Sequence, residues 1–215
     1  MHNNSTSAKL YYIHDPMCSW CWGFHPVWWQ LKQQLPTNIE ITYLLGGLAP
    51  DSQEPMPEEM QQFLQQTWRN IQQKIPGTEF NFDFWTSCQP RRSTYPACRA
   101  VIATKKQNPT LEDKMILRIQ QSYYLEAKNP SDDKTLIELA EQLDLNTEKF
   151  KKDLNDQAFQ IQLAQEIKQY QTLGTQGFPS LALIHSNTIY NIKIDYLNYE
   201  NMLLDINNSI ASSYK

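Results

Sequence analysis

The segment DPMCSWCWGF, residues 15–24, places two cysteines, Cys18 and Cys21, two residues apart just after a strand-like run. That run, residues 9–13, is aromatic and aliphatic and predicts a short buried strand. Apolar residues recur at helical spacing from 22 to 35, so the cysteines stand where a helix begins. Unpaired N–H groups and the dipole at a helix N-terminus stabilise a thiolate. We therefore expect Cys18 to be an exposed nucleophile and Cys21, one turn deeper, to be the resolving thiol.

The cysteine pair has two other interpretations. A structural zinc site needs two further ligands, yet Cys88 and Cys98 are separated by nine residues and the four histidines are scattered. A pair of buried, inert thiols is disfavoured by the position between a strand and a helix, beside Pro16 and Gly23. A CxxC pair near a β-α-β pattern favours redox chemistry.

The segments that follow the pair indicate a strand, a linker and a helical block. Residues 39–45 predict a second strand, and Gly46-Gly47 with the proline-rich stretch 50–57 predicts a linker. The pattern from 57 to 173 is almost wholly helical. Its predicted elements are helices at 58–75, 95–106, 111–127, 131–143 (capped by Ser131, Asp132 and Asp133), 147–154 (begun by Asn146) and 157–173, with an irregular aromatic segment at 80–85.

Strands return near the C-terminal end. Residues 181–184 and 188–192 predict a hairpin around a turn at 186–187, and residues 199–210 predict a closing helix. The order β-α-β, helices, β-β-α predicts an α/β protein that has a thioredoxin-like fold with an inserted all-helical domain. Under this prediction the thioredoxin-like domain comprises residues 1–56 and 174–215, and the helical insertion comprises residues 57–173.

Phe178 and Pro179 directly precede the first strand of that hairpin. In thioredoxin-like folds a cis-proline lies at this point and faces the CxxC pair, and an aromatic residue before it is compatible with the cis form. Backbone groups of the preceding residue then point outward, so a substrate chain can add as a short strand. We expect Phe178 and Pro179 to bind substrate; the alternative is that Pro179 only opens a strand.

Residues within and beside the CxxC motif are candidate modulators. Trp20 lies inside the motif and is expected to be exposed near Cys18, where its ring can contact substrate. The Ser19-Trp20 dipeptide is expected to tune the reduction potential. Asp15, three residues before Cys18, is a candidate proton relay or thiolate modulator, with a turn or N-cap role favoured.

Further residues with possible chemistry favour structural roles. His14 and His25 flank the motif and favour core or surface positions, and Arg91-Arg92 favours a solvated pair. Cys98 is either a third redox thiol or, as is more common, a small buried hydrophobic residue.

Composition limits the class of protein and of partner. The chain has 215 residues, 40% of them hydrophobic, and a net charge of −4 without a basic block, which disfavours nucleic-acid and anionic-membrane surfaces. No stretch approaches the roughly 18 apolar residues of a membrane span. The polar stretch 1–7 leads directly into a strand-like run and lacks the features of a secretory signal. The sequence therefore predicts a cytoplasmic protein whose fold needs no disulfide bridges.

Four motifs together resemble the DsbA-like family, and most closely its branch of predicted protein-disulfide isomerases, over nearly the whole chain. They are residues 15–24, Gly47-Leu48-Ala49-Pro50, Cys98-Arg99-Ala100-Val101 and Gly177-Phe178-Pro179. The resemblance implies a thioredoxin domain with a helical insertion, a dithiol active site at Cys18 and Cys21, and a cis-proline at Pro179. The chain departs from secreted DsbA because it has no recognisable signal peptide and has Ser-Trp instead of Pro-His between the cysteines.

The predicted function is thiol–disulfide oxidoreductase or protein-disulfide isomerase activity. The cysteine pair carries two electrons, so we expect no metal and no organic cofactor. The expected partners are protein thiols and disulfides and glutathione, with neither nucleic acid nor membrane. One alternative is a glutathione-dependent transferase or isomerase of small molecules, which usually has a single activating Ser or Cys. A binding module that uses the dithiol as a zinc or partner clamp is the other alternative.

Overall fold

The structure is a computed structural model that describes residues 8–212. The polar stretch 1–7, on which the prediction about a secretory signal rests, lies outside the described residues. The strands are β1 (Ala8–His14), β2 (Ile39–Leu45), β3 (Ser180–His185) and β4 (Thr188–Ile192). The helices are α1 (Ser19–Gln34), α2 (Glu58–Lys74), α3 (Phe84–Ser87), α4 (Tyr95–Gln107), α5 (Glu112–Tyr124), α6 (Asp133–Gln142), α7 (Thr147–Asn155), α8 (Gln157–Gln171) and α9 (Tyr199–Ser212), with a 3-10 turn at Pro109–Leu111.

The four strands form one mixed sheet in the order β2-β1-β3-β4. β1 and β2 are parallel, with Tyr12 opposite Tyr43, whereas β3 is antiparallel to both β1 and β4. The hairpin between β3 and β4 turns at Ser186 and Asn187, whose φ angles of 48° and 61° fit a tight two-residue turn. The order of elements is the predicted one, and the α/β thioredoxin-like fold is confirmed.

Alternation along the strands supplies a different core on each face of the sheet. Leu10 and Tyr12 pack with α1 and α9 on one face. Tyr11 and Ile13 pack on the other face, where Tyr170 of α8 contacts the same cluster. The sheet is therefore covered on both sides, and α1 begins shortly after the end of β1.

The helical block has its own core, built around Trp68 of α2. Trp68 is 1% exposed, and its ring lies 4.9 Å from that of Phe80 and 5.4 Å from that of Tyr124, measured between centroids. This cluster extends to Met17, the residue before Cys18. The helical block therefore packs directly against the segment that carries the cysteines.

α8 contacts both parts of the molecule. Leu163 packs in the helical core, while the Glu166 carboxylate accepts a hydrogen bond from the Leu45 backbone N–H of β2 at 3.0 Å. The domain boundaries at residues 57 and 174 stay a prediction.

Several local predictions differ from the structure. α1 begins at Ser19 with Cys18 as its N-cap, whereas the helical spacing of apolar residues begins only at residue 22, and the helix continues through Pro26. The predicted irregular segment 80–85 leads into the short helix α3. Asn146 caps α7 as predicted, since its side chain accepts from the Lys149 N–H.

Asp132, which was expected to cap α6, and Arg91, which was expected to be solvated, form an ion pair. Asp132 precedes α6 but makes no side-chain cap, because its carboxylate accepts a 2.5 Å hydrogen bond from the Arg91 guanidinium. Arg91 also donates to the Ser131 carbonyl at 2.8 Å, and only 12% of its side chain is exposed. The prediction of a solvated Arg91 is therefore wrong, because a long-range partner holds its guanidinium.

Candidate active site

Cys18 is the N-cap residue of α1. Its backbone is extended, its N–H donates to the Asp15 carbonyl at 3.0 Å, and its carbonyl accepts from the Trp22 N–H at 3.1 Å. The first turn of α1 contains no acidic residue. The Cys18 side chain therefore lies at the positive end of the helix dipole without an opposing carboxylate in that turn.

The Cys18 side chain is less exposed than predicted. It is 7% exposed, but it lines a cavity of about 340 Å³ between α1, α2 and the segment before α4. Its Sγ lies 3.6 Å from the carbonyl oxygen of Phe178. The helical block covers the thiol from above, so a reacting group must enter through this cavity.

Cys21 lies on the first turn of α1 and is fully buried. Burial raises the pKa of the Cys21 thiol well above its ordinary value, and a hydrogen bond with Cys18 raises it further. All four cysteines are free thiols in this structure. At neutral pH Cys21 is therefore a neutral thiol when the pair is reduced.

The peptide bond between Phe178 and Pro179 is cis. A Cβ atom on Gly46, just after β2, would lie 2.0 Å from Cε1 of the Phe178 ring, so any other residue there would force this ring to move. Glycine at position 46 thus lets the Phe178 ring pack against the end of β2. Pro179 is buried and directly precedes β3, and it does not belong to the described lining of the Cys18 cavity.

Trp20 and Phe178 separate the Cys18 cavity from a neighbouring groove. Both residues also line this second groove, which has a volume of about 480 Å³ and is bordered by Lys74 and Leu197. The Trp20 ring is half-buried, with the Lys74 Nζ 5.5 Å from its centroid. Ser19 lines the Cys18 cavity but not the neighbouring groove. The predicted substrate-binding residues Trp20 and Phe178 therefore lie together at Cys18.

Asp15 is a buried hydrogen-bond acceptor beneath the motif. Its carboxylate accepts from the backbone N–H of Met17 at 2.8 Å, the N–H of Leu48 at 2.7 Å and the Thr94 hydroxyl at 2.7 Å. Burial raises the pKa of Asp15, against the opposing effect of these hydrogen bonds. The bond to Met17 is the predicted turn, whereas the bonds to Leu48 and Thr94 join three distant segments.

Cys98 is fully buried in α4, and its thiol lies 3.6 Å from the Asp15 carboxylate. Burial raises the pKa of Cys98 well above its ordinary value. Cys88 is half-buried, and its thiol donates to the Ala127 carbonyl at 3.0 Å. Within the described chain, neither thiol lines the Cys18 cavity, which favours the structural role for Cys98.

The two histidines near the motif pack among aromatic rings. His14 is fully buried, its ring lies 5.0 Å from the Tyr12 ring, and burial lowers its pKa to about 3. His25 stacks on Trp22 at 6.3 Å. Neither belongs to the described lining of the Cys18 cavity, so both have the structural positions that the sequence favours.

Sequence reasoning missed most of the residues that complete the cavity. These residues come from the linker, α2, the segment before α4 and α5, namely Leu48, Met56, Phe63, Leu64, Thr67, Trp68, Arg91, Arg92, Ser93, Thr94, Tyr123 and Tyr124. Phe63 is 64% exposed, which is unusual for a large apolar side chain. The amphipathic pattern of α2 predicts a packed helix, but no spacing rule connects it to the cysteines.

The described residues form neither a metal-binding cluster nor a membrane-spanning helix. Across residues 8–212, no three His, Cys, Asp or Glu side chains are grouped so that they could hold a metal ion. Over the same part of the chain, every helix is too short or too polar to cross a membrane.

Solved structures with the same fold include disulfide oxidoreductases. A putative protein disulfide isomerase from Nitrosomonas europaea is 23% identical, with a TM-score of 0.83 over 96% of this chain and 98% of that one. The cytosolic disulfide reductase DsbM from Pseudomonas aeruginosa is 22% identical, with a TM-score of 0.70 over 96% of this chain and 97% of that one. At these identities the likeness shows the DsbA-like thioredoxin fold.

Curated relatives found by sequence are described as adapter proteins and not as disulfide oxidoreductases. The ClpXP adapter protein SpxH from Bacillus subtilis is 26% identical over 70% of this chain and 49% of the relative. SpxH from Halalkalibacterium halodurans is 21% identical over 83% of this chain and 59% of the relative. The chain thus spans about half to three-fifths of the length of these relatives. A family model described as thioredoxin matches residues 11–204, and the chain therefore belongs to the thioredoxin family.

Proposed function

We propose that the protein is a thiol–disulfide oxidoreductase that reacts through Cys18 and Cys21. The observation that supports this most directly is the position of the Cys18 sulfur, at the N-terminus of α1, in a cavity and 3.6 Å from the Phe178 carbonyl. Cys21 lies one turn away and is fully buried, so it is protected from direct attack by external reagents.

The reaction follows from the different environments of the two sulfurs. The Cys18 thiolate attacks one sulfur of a substrate disulfide, which forms a mixed disulfide and releases the first substrate thiolate. Cys21 then loses its proton and attacks the Cys18 sulfur, which releases the second substrate thiolate and leaves a Cys18–Cys21 disulfide. The substrate gains two electrons and the pair loses two, so a second thiol compound must reduce the pair for another cycle.

The surroundings of Cys18 favour extended polypeptides and small thiols as substrates. The Phe178 carbonyl lies beside the sulfur, where it can accept a backbone hydrogen bond from an added strand. Trp20 and Phe178 line the same cavity as Cys18 and offer apolar contacts to a substrate there. Arg92 adds a positive charge to the cavity lining, which suits the carboxylates of glutathione. DsbM has also been solved with GSH.

We further propose reduction or isomerisation as the direction of exchange in a reducing compartment such as the cytoplasm. There the pair rests as a dithiol, which suits attack on incorrect or unwanted disulfides better than net oxidation. The description of DsbM as a cytosolic reductase supports this direction by analogy.

Three variants test the proposed chemistry in insulin reduction and in refolding of scrambled ribonuclease. Cys18→Ala is expected to abolish both activities because it removes the attacking sulfur. Cys21→Ala is expected to accumulate a covalent adduct with substrate, visible by non-reducing electrophoresis and mass spectrometry. Cys88→Ala is the matched control and should retain both activities, because Cys88 is absent from the described lining of the cavity. Full activity of Cys18→Ala would refute the assignment.

A role as a protein-binding adapter is the second candidate, favoured by the SpxH relatives and by the exposed Phe63 at the rim of the Cys18 cavity. The cysteine variants also separate this candidate from the first. Adapter binding that needs only surface contacts would survive Cys18→Ala, whereas disulfide exchange would not.

A further inference from the structure

The peptide bond that joins Met17 to Cys18 is held at both of its polar atoms. Its N–H, which belongs to Cys18, donates to the Asp15 carbonyl at 3.0 Å. Its carbonyl oxygen, which belongs to Met17, accepts from the Tyr124 hydroxyl at 2.6 Å. The Met17 N–H on the other side donates to the Asp15 carboxylate at 2.8 Å. Hydrogen bonds therefore fix the orientation of the chain just before the reacting sulfur.

The Tyr124 hydroxyl is the long-range member of this set of hydrogen bonds. Tyr124 is the last residue of α5, 107 positions away from Met17 in the sequence. The bonds to Asp15 are local, because Asp15 lies between β1 and α1. A side chain of the helical block therefore contacts the backbone directly before Cys18.

Aromatic packing fixes the position of the Tyr124 hydroxyl. The Tyr124 side chain is fully buried, and its ring stacks on that of Trp22 with centroids 5.9 Å apart. The rings of Trp68 and Phe80 make edge contacts with it at 5.4 Å and 5.3 Å. Burial raises the pKa of Tyr124 well above its ordinary value, so the hydroxyl keeps its proton at neutral pH. It is therefore a permanent donor to the Met17 carbonyl.

This donor favours a negative charge on Cys18. The hydroxyl proton offsets the negative end of the Met17 carbonyl dipole. Without the hydroxyl, the buried carbonyl oxygen would be unpaired and would oppose a thiolate on the adjacent residue. The peptide bond could also turn away from the orientation that makes Cys18 the N-cap of α1. The Tyr124 hydroxyl and the N-terminus of α1 thus act on the sulfur in the same direction.

We propose that Tyr124 is a positioning residue for disulfide exchange, whose hydroxyl holds the Met17 carbonyl so that Cys18 reacts as a thiolate at the N-terminus of α1. The inference rests on the proposed function, because it assigns Tyr124 a role in that reaction. It adds that the reactivity of Cys18 depends on a hydrogen bond from the helical block as well as on the cysteine motif.

Alkylation of Cys18 by iodoacetamide, followed by mass spectrometry of the peptide that contains Cys18, tests the proposal. The reagent reacts with the thiolate and is small compared with the cavity of about 340 Å³. Tyr124→Phe keeps the ring and removes the hydroxyl. At about pH 6 its alkylation rate should fall about 3–10-fold below that of wild type, the range expected for one hydrogen bond. At about pH 10 the two rates should agree within about twofold, because alkaline solution ionises the thiol in both proteins.

Tyr43→Phe is the matched control. The Tyr43 hydroxyl also forms hydrogen bonds, since it accepts from Trp28 Nε1 at 3.1 Å and from Lys32 Nζ at 3.3 Å. Tyr43 does not belong to the described lining of the Cys18 cavity. This variant also loses a hydrogen-bonded hydroxyl, but it should be alkylated at the wild-type rate at both pH values.

A second replacement at position 124 restores a donor. The side chain of 4-aminophenylalanine has the shape of tyrosine and an N–H donor in place of the hydroxyl, so its alkylation rate should lie within about threefold of wild type at both pH values. Because this protein retains the donor to the Met17 carbonyl, it gives a decision even if Tyr124→Phe does not fold.

Three results would overturn the proposal. They are a wild-type rate for Tyr124→Phe at pH 6, an equal loss of rate at both pH values, and a 4-aminophenylalanine protein that reacts more than about tenfold slower than wild type at pH 6. Alkylation does not require disulfide exchange, so failure of the proposed function is a separate result. If Cys18→Ala reduced insulin at the wild-type rate, the exchange reaction would be refuted whatever the alkylation rates.

Discussion

At the scale of single residues, His14 illustrates how a buried ionisable side chain makes stability depend on pH. Its folded pKa of about 3 lies below the ordinary value of 6.5, because burial opposes the imidazolium form. Below pH 6.5 His14 binds a proton in the unfolded chain but not in the folded chain. The free energy of unfolding is therefore highest above pH 6.5 with respect to this group and falls as the pH decreases towards 3. His14→Phe keeps a ring against Tyr12 and removes this dependence. Between pH 7.5 and 5.5 wild type should lose about 1.4 kcal/mol relative to His14→Phe.

Urea unfolding of both proteins at the two pH values measures this difference. Titration of the other groups is common to wild type and variant, so it cancels from the comparison. A difference that stays constant, or that grows in favour of wild type at the lower pH, would show that His14 is protonated in the folded protein.

At the scale of elements, the end of β2 and the segment before β3 meet where Gly46 contacts Phe178. Gly46→Ala introduces a methyl group into the space of the Phe178 ring, so the ring and its carbonyl must shift beside Cys18. Overpacking of this kind costs about 1–3 kcal/mol of unfolding free energy. A displaced Phe178 should also lower kcat/KM for insulin reduction on the order of tenfold to a hundredfold.

Gly77→Ala is the matched control for this substitution. Gly77 has a φ of +89°, and a Cβ atom there would meet nothing within 4 Å. The control should lose about 1 kcal/mol of stability through backbone strain and keep its rate of insulin reduction. If Gly46→Ala has the wild-type kcat/KM, the position of Phe178 does not matter for exchange.

At the scale of the whole molecule, Arg99 joins the linker after β2 to two helices of the helical block. It lies on α4 and is 4% exposed. Its Nε donates to the Leu154 carbonyl of α7 at 2.7 Å, and its two terminal nitrogens bind the Asp51 carboxylate at 2.8 Å each. Arg99→Met keeps the apolar stem but leaves the buried Leu154 carbonyl unpaired. We expect a loss of about 1–3 kcal/mol in thermal or urea unfolding.

Lys149→Met provides the comparison on the surface of the same helical block. Lys149 pairs with Asp153 one turn further along α7, and 48% of its side chain is exposed. This pair should contribute less than about 0.5 kcal/mol. Equal losses for Arg99→Met and Lys149→Met would mean that the link between linker and helices does not stabilise the molecule.

The predictions from sequence succeeded where the controlling interactions are local. The continuous aromatic and aliphatic run that marks β1 and the helical spacing after the CxxC motif involve residues a few positions apart, so both elements and their order could be predicted. The bounds of β2 were predicted to the residue, and α1 begins at Ser19, so both cysteines lie at the start of the helix, although the apolar spacing begins only at residue 22. Apolar periodicity alone does not locate the start of α1, because Cys18 at the N-cap is not part of the apolar repeat.

The sequence by itself determined the class of fold, the placement of Cys18 and Cys21 at the start of a helix, and the position of Phe178 and Pro179 just before a strand. Only the tertiary structure decided that Cys18 lies within a cavity under the helical block, and that Asp15 accepts hydrogen bonds from Leu48 and Thr94. The physical reason is the range of the interactions. Backbone hydrogen bonding and apolar periodicity involve residues a few positions apart in the sequence. Enclosure of the Cys18 thiol depends instead on packing between segments that are distant in the sequence.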